Sequence, residues 1–384
     1  MNILIVPSWY PTIENPLNGA FFREQAIALS NLGHNVIVLN ATLTSRGSYM
    51  NGSNFKHRII NDENLKIYSY VIPSFGVARI KSLYYRVFRY NMFKVFAKIR
   101  RDYGKIDIIH AHSFMPAGIA ACDLGRKYNI PIIVTEHSSS VLKKQLDKTE
   151  MHFLKETVRR ASKFVCVSNG LKKSVLELSE TSNEIIVIPN LVSPVFDINL
   201  EESETEPFTF VSVGHLIESK RPDLTISSFA NAFKNNPNVR LQLIGEGPLR
   251  KKLNQQIINL NMQDQIQLMG ALSRSETAIK VRQSNAFVLA SAYETFGIVY
   301  IEALASGKPV IGTICGGPED IINKSNGILV PVDNTKTLTQ AMMSIYNNIK
   351  QYDSFSISLD TKLKYSANTI AYQLTDLYQR FLLP

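Results

Sequence analysis

The chain has 384 residues, 45% of them hydrophobic and 19% charged; that length suits two domains, and that composition excludes a disordered, collagen-like or disulfide-dense protein. The formal charge of +10 sits in one half: residues 1–195 hold 25 Lys and Arg against 14 Asp and Glu, whereas residues 196–384 hold 17 against 18. Cys122, Cys166 and Cys315 lie far apart without metal or redox spacing, and no run of 18 apolar residues offers a membrane span.

The first strand-like run, residues 2–7, opens at Met1 with neither a basic segment nor an apolar stretch long enough for a secretory signal, which points to a cytoplasmic chain. Residues 35–40, 65–72, 107–112, 131–137, 163–168 and 184–190 are further short runs rich in Val and Ile, the signature of strands. Helical patterns at 21–32 and 117–128 fall between them, so strand and helix alternate as in a parallel sheet covered on both faces.

Residues 79–101 carry eight Lys and Arg and no acidic residue. At helical spacing Ile80, Tyr84, Phe88, Met92, Val95 and Ile99 gather on one side and Arg79, Arg86, Arg89, Arg100 and Arg101 on the other. The pattern reads either as an interfacial helix on the anionic, cytoplasmic face of the inner membrane or as a core helix with a solvated basic face. No nucleic-acid module accompanies the charge, so nucleic acid is not an expected partner.

Residues 193–207, with two prolines, four glutamates and no helical period, read as a linker between domains at 1–192 and 208–366. The second domain repeats the design, with strand-like runs at 208–214, 239–245, 265–270, 286–291, 309–313 and 327–332. A closing segment, 367–384, places Ile370, Leu374, Leu377, Tyr378 and Phe381 on one helical face, which is expected to pack across both domains. Doubly wound sheets bind ligands beyond the C-terminal ends of their strands, so the chemistry is expected there, in a cleft.

The richest stretch is residues 291–310, running from strand to helix to strand. Glu294 falls in the loop and Glu302 eight residues later, about 12 Å along a helix. Between them Thr295, Phe296, Gly297 and Ile298 form the helix start, whose unpaired N–H groups and positive dipole end suit a phosphate. A glutamate beside Ile301, Ala303 and Leu304 is costly to bury without a hydroxyl partner, which favours a ligand for Glu302. Gly245-Glu246-Gly247-Pro248 reads as a strand-to-helix turn or as a close backbone approach to a ligand; Gly316-Gly317 allows the same two readings. Gly19 lies in the loop after the first strand, and His137 ends the strand at 131–137. His110 and His112 share a strand face but lack a third and fourth ligand at metal spacing, so no metal site is expected.

Tyr293-Glu294-Thr295-Phe296-Gly297-Ile298-Val299 through Glu302-Ala303 to Ser306-Gly307 and Pro309-Val310 resembles the E-x7-E signature of the retaining GT-B glycosyltransferases of family 4. Matching motifs run through nearly the whole chain, among them Asn18-Gly19, His110-Ala111-His112, Thr135-Glu136-His137, Pro189-Asn190, Gly214-His215 to Lys220, Gly245-Glu246-Gly247 and Gly316-Gly317. The resemblance implies an α/β GT-B architecture of two Rossmann-like doubly wound domains facing a central cleft. It further implies that Glu294 contacts hydroxyls of the donor sugar, that Thr295 to Ile298 present amides to the diphosphate and that Glu302 holds the ribose. Lys220 would neutralise the leaving diphosphate, Gly19 would lie near the donor phosphates, His137 would touch the transferred sugar, and the Gly245-Glu246-Gly247 turn would lie near the base. Where the family usually has an arginine partnering Lys220, this chain has His215, with Arg221 as an alternative cation.

The expected activity is therefore that of a retaining hexosyltransferase using a nucleotide-sugar donor, UDP-sugar before GDP-sugar, and a glycan or lipid-linked acceptor of capsule, exopolysaccharide or other envelope synthesis. No Asp-x-Asp occurs, so no metal or other cofactor is expected, and the missing G-x-x-x-x-G-K-[ST] loop removes P-loop hydrolysis. An oxidoreductase lacks its G-x-G-x-x-G fingerprint after the first strand. The remaining alternative is a catalytically silent glycosyltransferase-like subunit that binds a partner or a glycan, an alternative raised by His215. Oligomeric state is not legible.

Overall fold

A computed structural model of the chain describes residues 1–11, 18–44, 58–73, 80–198 and 207–382. Two compact units result, Met1–Leu191 together with Ala367–Pro384, and Val192–Ser366.

In the first unit the strands are β1 Asn2–Pro7, β2 Asn35–Thr44, β3 Arg58–Asp62, β4 Leu65–Pro73, β5 Ile108–His112, β6 Ile132–Glu136, β7 Lys163–Cys166 and β8 Ile185–Val187. They form one sheet in the order β3-β4-β2-β1-β5-β6-β7-β8, parallel except for the β3–β4 pair. Ile3, Leu4 and Ile5 of β1 lie in register with Val36, Ile37 and Val38 on one side and Ile108, Ile109 and His110 on the other. All of these side chains are buried, as the absence of polar alternation in the sequence demands of a sheet covered on both faces. The edge strand β3 is absent from the sequence reading. Its Ile59 and Ile60 are exposed, so it shows neither an apolar run nor alternation.

Helix α1, Ala20–Asn31, buries Phe22, Ala26 and Leu29 on one face of this sheet. The closing helix, Ala367–Gln379, joins the same core through Ile370, Ala371, Leu374, Leu377 and Tyr378, so its apolar stripe is spent inside the first unit. The basic segment forms helix α2, Lys81–Tyr103, with Phe88, Met92, Val95, Phe96 and Ile99 buried. Most of the apolar stripe therefore packs on protein, which removes the interfacial helix with a lipid-buried face; Ile80 stays exposed, and Arg79 lies outside the described residues. Of the cations, Arg89 pairs with Asp123 at 2.5 Å, while Arg86, Lys94, Arg100 and Arg101 are exposed. Among the described residues no helix is long and apolar enough to cross a membrane.

In the second unit β9 Phe208–Val213, β10 Val239–Ile244, β11 Ile266–Gly270, β12 Ala286–Val288, β13 Val310–Thr313 and β14 Gly327–Val330 form an all-parallel sheet in the order β11-β10-β9-β12-β13-β14. Numbered within the unit this is 3-2-1-4-5-6, the dinucleotide-fold order, whose topological switch falls between β9 and β12. Phe210, Phe229 and Phe233 anchor one face, with Phe229 and Phe233 ring centroids 5.3 Å apart. The linker expectation is corrected at its start: the Val192 N–H donates to the Tyr365 carbonyl at 2.8 Å, and Ser193 and Phe196 are buried within this unit. Residues 199–206 of that expectation lie outside the described residues.

Candidate active site

The switch point brings together the two loops that leave β9 and β12. The first runs through Gly214, His215 and a short turn, Glu218–Lys220, to Arg221, which adopts a left-handed φ of 48° and precedes a helix at Pro222–Phe233. The second carries Ser291 to Gly297. The Ala292 N–H donates to the Ser219 carbonyl at 2.8 Å and ties the two loops together. Glu294, only 9% exposed, accepts on Oε1 from Lys220 Nζ at 2.5 Å and from Ser291 Oγ at 2.8 Å. An ammonium and a carboxylate thus meet at the C-terminal ends of neighbouring parallel strands, and their mutual pairing is what makes the burial of either tolerable.

A third loop supports the second. The Gly317 N–H donates to the Glu294 carbonyl at 2.8 Å, and a Cβ on Gly317 would stand 2.3 Å from Phe296 Cα. Gly316-Gly317 is therefore the close packing of one loop under another. The Glu319 carboxylate accepts from the Cys315 and Gly316 N–H groups at 3.1 and 2.9 Å and fixes that loop.

The helix expected to begin at Thr295 begins at Ile298: α-helical residues are Ile298–Ala305, with Gly297 at φ 95° as N-cap. Tyr300 N–H bonds the Gly297 carbonyl at 3.0 Å, so Ile298 and Val299 supply the first-turn N–H groups that have no acceptor within the helix. Phe296 is a core side chain, 1% exposed and 5.8 Å from the Tyr365 ring, and only its backbone faces the loop's chemistry.

Glu302 lies on the same helix, 5% exposed, and its Oε1 accepts from an Arg274 guanidinium nitrogen at 2.8 Å. The inference that burial demands a hydroxyl ligand is corrected: a guanidinium 28 positions away meets the charge. Arg274 is one of the residues that the sequence reading missed.

Other residues named in the sequence have these surroundings. Gly245, at φ 140°, would place a Cβ 2.0 Å from the Gly214 carbonyl oxygen, and Gly247 one 2.4 Å from that of Leu216. At both glycines the missing side chain makes room for the chain's own neighbouring loop. Between them, Glu246 accepts from Arg250 at 2.8 Å. Arg221 is held by Asp333 and lies 3.4 Å from Asp223, two carboxylates that occupy the cation offered as a substitute for the missing arginine. His215 is exposed.

In the first unit Gly19, at φ 77°, is the N-cap of α1, where a side chain would crowd Trp9 and Phe22 at 3.0 Å. His137 follows β6 and is 7% exposed, with its ring 5.2 Å from Phe21 and 4.9 Å from Phe22. Its Nε2 faces His112 Nδ1 at 3.2 Å, and burial pushes its pKa down to about 3, so the imidazole is neutral. Its Nδ1 is buried without a protein partner among the described residues. The two His110 nitrogens bond the Tyr378 and Thr135 hydroxyls at 2.6 and 2.7 Å.

Glu136, part of a motif in the sequence but given no role there, holds this loop. It is fully buried and accepts from the Phe114, His137 and Ser138 N–H groups at 2.7, 2.9 and 2.6 Å and from Ser138 Oγ at 2.5 Å. Burial raises its carboxyl pKa, against the lowering effect of those donors.

Two doubly wound sheets, the first parallel but for one edge pair and the second all parallel with a Lys–Glu pair at its switch point, have the architecture of the GT-B glycosyltransferases. The chain matches the Glycosyltransferase Family 4 model over residues 19–196 and the model of Glycosyl transferases group 1 over residues 197–358. It is 32% identical over 259 residues to an uncharacterised glycosyltransferase of Methanocaldococcus jannaschii, covering 67% of this chain and 70% of that protein. Sucrose-phosphate synthase from Thermosynechococcus elongatus superposes with a TM-score of 0.77 at 19% identity over 99% of each chain. The Anabaena protein HepE, solved in complex with UDP, superposes at 0.75 with 16% identity over 99% of this chain and 100% of that one. The chain belongs to glycosyltransferase family 4.

Proposed function

We propose that the protein transfers a hexose from a nucleotide-sugar donor, a UDP-sugar before a GDP-sugar, to a glycan or lipid-linked acceptor in cell-envelope glycan synthesis, with retention of configuration and without a metal. The observation that carries the reading is the Lys220–Glu294 pair at the switch point, beside the Ile298 and Val299 amides. A donor offers each member of the pair further partners. Its sugar hydroxyls donate to the carboxylate, and its diphosphate, which gains charge as the glycosidic bond breaks, accepts from the ammonium and the helix N-terminus. Donors aimed at charge that develops only in the transition state lower the barrier rather than merely tightening binding. Retention is the family's implication, and with it an acceptor that attacks from the leaving-group side and passes its proton to the diphosphate oxygen. HepE, of the same fold, is solved in complex with UDP, which supports a UDP-sugar as the first donor to try.

The test is a thermal-shift panel of UDP, GDP and ADP with their sugars, followed by slow donor hydrolysis. One diphosphate is expected to raise the melting temperature, since a ligand at 100 times its Kd adds about 2.7 kcal/mol to the folded state. Stabilisation without hydrolysis would instead favour the silent, glycan-binding subunit, the reading raised by His215 in place of arginine. No stabilisation by any of them at millimolar concentration would remove the donor assignment.

The same proposal places the protein peripherally on the anionic cytoplasmic face of the membrane, held by charge alone. The exposed cations of α2 can each contribute about 1 kcal/mol near such a surface, and at 1 M salt the screening length is ~3 Å. The protein is expected to sediment with anionic vesicles at low salt and not at 1 M. Reversing Arg86, Lys94, Arg100 and Arg101 to glutamate is expected to release it with donor hydrolysis unchanged. Arg89 is excluded from the set because it pairs with Asp123. A wild type that stays in the supernatant at low salt would end the membrane assignment.

A further inference from the structure

The Arg274–Glu302 pair is built rather than incidental. Arg274 is the first residue of a helix, Arg274–Arg282, whose start is pinned by a reciprocal cap: Ser273 Oγ accepts from the Glu276 N–H at 3.2 Å, and the Glu276 carboxylate accepts from the Ser273 N–H at 2.8 Å. Its guanidinium lies over the ring of Phe196, 5.5 Å from the centroid, and Phe196 is itself buried in this unit. The stem is fixed by a cap and the head by an aromatic face, so the fork that reaches Glu302 Oε1 has little freedom. A carboxylate has about four acceptor sites, and an arginine on one oxygen is compatible with hydroxyl donors on the same group.

We propose that Arg274 is a positioning residue for the donor's ribose: it sets the rotamer of Glu302 and meets its charge, so that the carboxylate stands as a fixed acceptor for the cis-diol. The inference rests on the reading of Glu302 as the ribose-binding residue. A merely structural ion pair joining two helices would, on removal, weaken all ligands of the unit alike. A positioning pair weakens only ligands that carry the diol. The discriminating quantity is therefore the ratio of two affinities in one variant, which global destabilisation leaves unmoved.

Calorimetric titration of UDP and of 2′,3′-dideoxy-UDP into the full-length protein measures that ratio; if the thermal-shift panel selects another base, the corresponding diphosphates replace them. The wild type is expected to prefer the ribonucleotide by about tenfold or more, the scale of hydrogen bonds to a charged acceptor. Arg274→Met is expected to reduce the preference to under about threefold by weakening UDP while leaving the dideoxy compound unchanged, and Arg274→Lys to recover part of it. Full preference retained in Arg274→Met overturns the proposal and leaves Glu302 as the ribose residue. No preference in the wild type overturns the ribose reading itself and the proposal with it. Should Arg274→Met fail to fold, Arg274→Lys decides: it keeps the charge but not the fork, and an undiminished preference in it overturns the proposal.

Discussion

Glu294→Gln is expected to lower kcat by about 100- to 1,000-fold, the scale on which loss of one preorganised electrostatic group lowers turnover. Glutamine keeps the shape of the side chain and a carbonyl oxygen for Ser291 Oγ, so the loop is expected to stay in place and the lost charge to be the whole effect. That charge has two duties, accepting from donor hydroxyls and holding Lys220 until a diphosphate arrives. Without it the ammonium is uncompensated, and the nucleoside diphosphate alone is expected to bind as well or better while turnover collapses. Lys220→Ala is expected to lower kcat on a similar scale, and the double variant to fall far short of the product of the two losses, because the pair acts as one unit. Glu302→Ala, by contrast, is expected to raise KM with kcat nearly kept, since a ribose contact is common to ground and transition states. Steady-state kinetics with the donor identified by thermal shift separates these outcomes. A Glu294→Gln enzyme within threefold of the wild-type kcat would take the pair out of catalysis.

Much of this site is legible in the sequence because it follows from topology. β-branched runs alternating with helical periods give two parallel sheets, and the switch point of the second then selects the loops that bear Lys220 and Glu294. What is not legible is pairing across the chain. Lys220 and Glu294 are 74 positions apart and Arg274 and Glu302 28 apart, and no local period reports that a carboxylate and a cation will meet. The same blindness extends to the glycines: spacing at Gly245 and Gly247 does not report that the Gly214 and Leu216 carbonyls stand against them. Periodicity likewise identifies the apolar stripe of α2 but is silent on what covers it, and here the cover is protein. Burial also misleads when argued from one residue at a time. Glu302 and Glu136 are both buried carboxylates, yet one is met by a guanidinium and the other by three backbone amides and a hydroxyl, partners that exist only after folding.

Lowering the pH from about 6.5 is expected to unfold the first unit before the second. His110, His112 and His137 are buried together in the first unit, whereas His215 is the single histidine between residues 192 and 366. Burial pushes His110 and His137 down to about 3 and His112 well below its ordinary value, aided for His112 by its two imidazole neighbours. His110 shows why: its nitrogens meet two hydroxyls, which suit a neutral ring with one donor and one acceptor, and burial rather than a nearby charge sets its shift. All three are depressed on folding, and for His110 and His137 the unfolded chain binds protons between about 3 and 6.5 that the folded unit refuses. The stabilisation is complete above about 6.5 and is lost as pH falls toward 3, at about 1.4 kcal/mol per pH unit for each histidine. Glu136 acts in the opposite sense, because its raised carboxyl favours the folded state when protonated, but it is one group against three. By pH 5 His110 and His137 together withdraw about 4 kcal/mol, and His112 adds in the same direction, a large share of the whole stability of a typical domain. Trp9, the one tryptophan of the chain, lies in the first unit 5.3 Å from the Phe22 ring, so its fluorescence follows that unit alone. Urea titrations read at Trp9 are expected to show stability falling steeply between pH 6.5 and 4.5, with far-UV dichroism retaining the signal of the second unit. His110→Gln, which cannot take up the proton, is expected to lower the slope by one histidine's share even if it also lowers the plateau. A wild-type slope below that of a single histidine over this interval would show that the cluster is protonated within the folded unit and that its burial sets no acid limit.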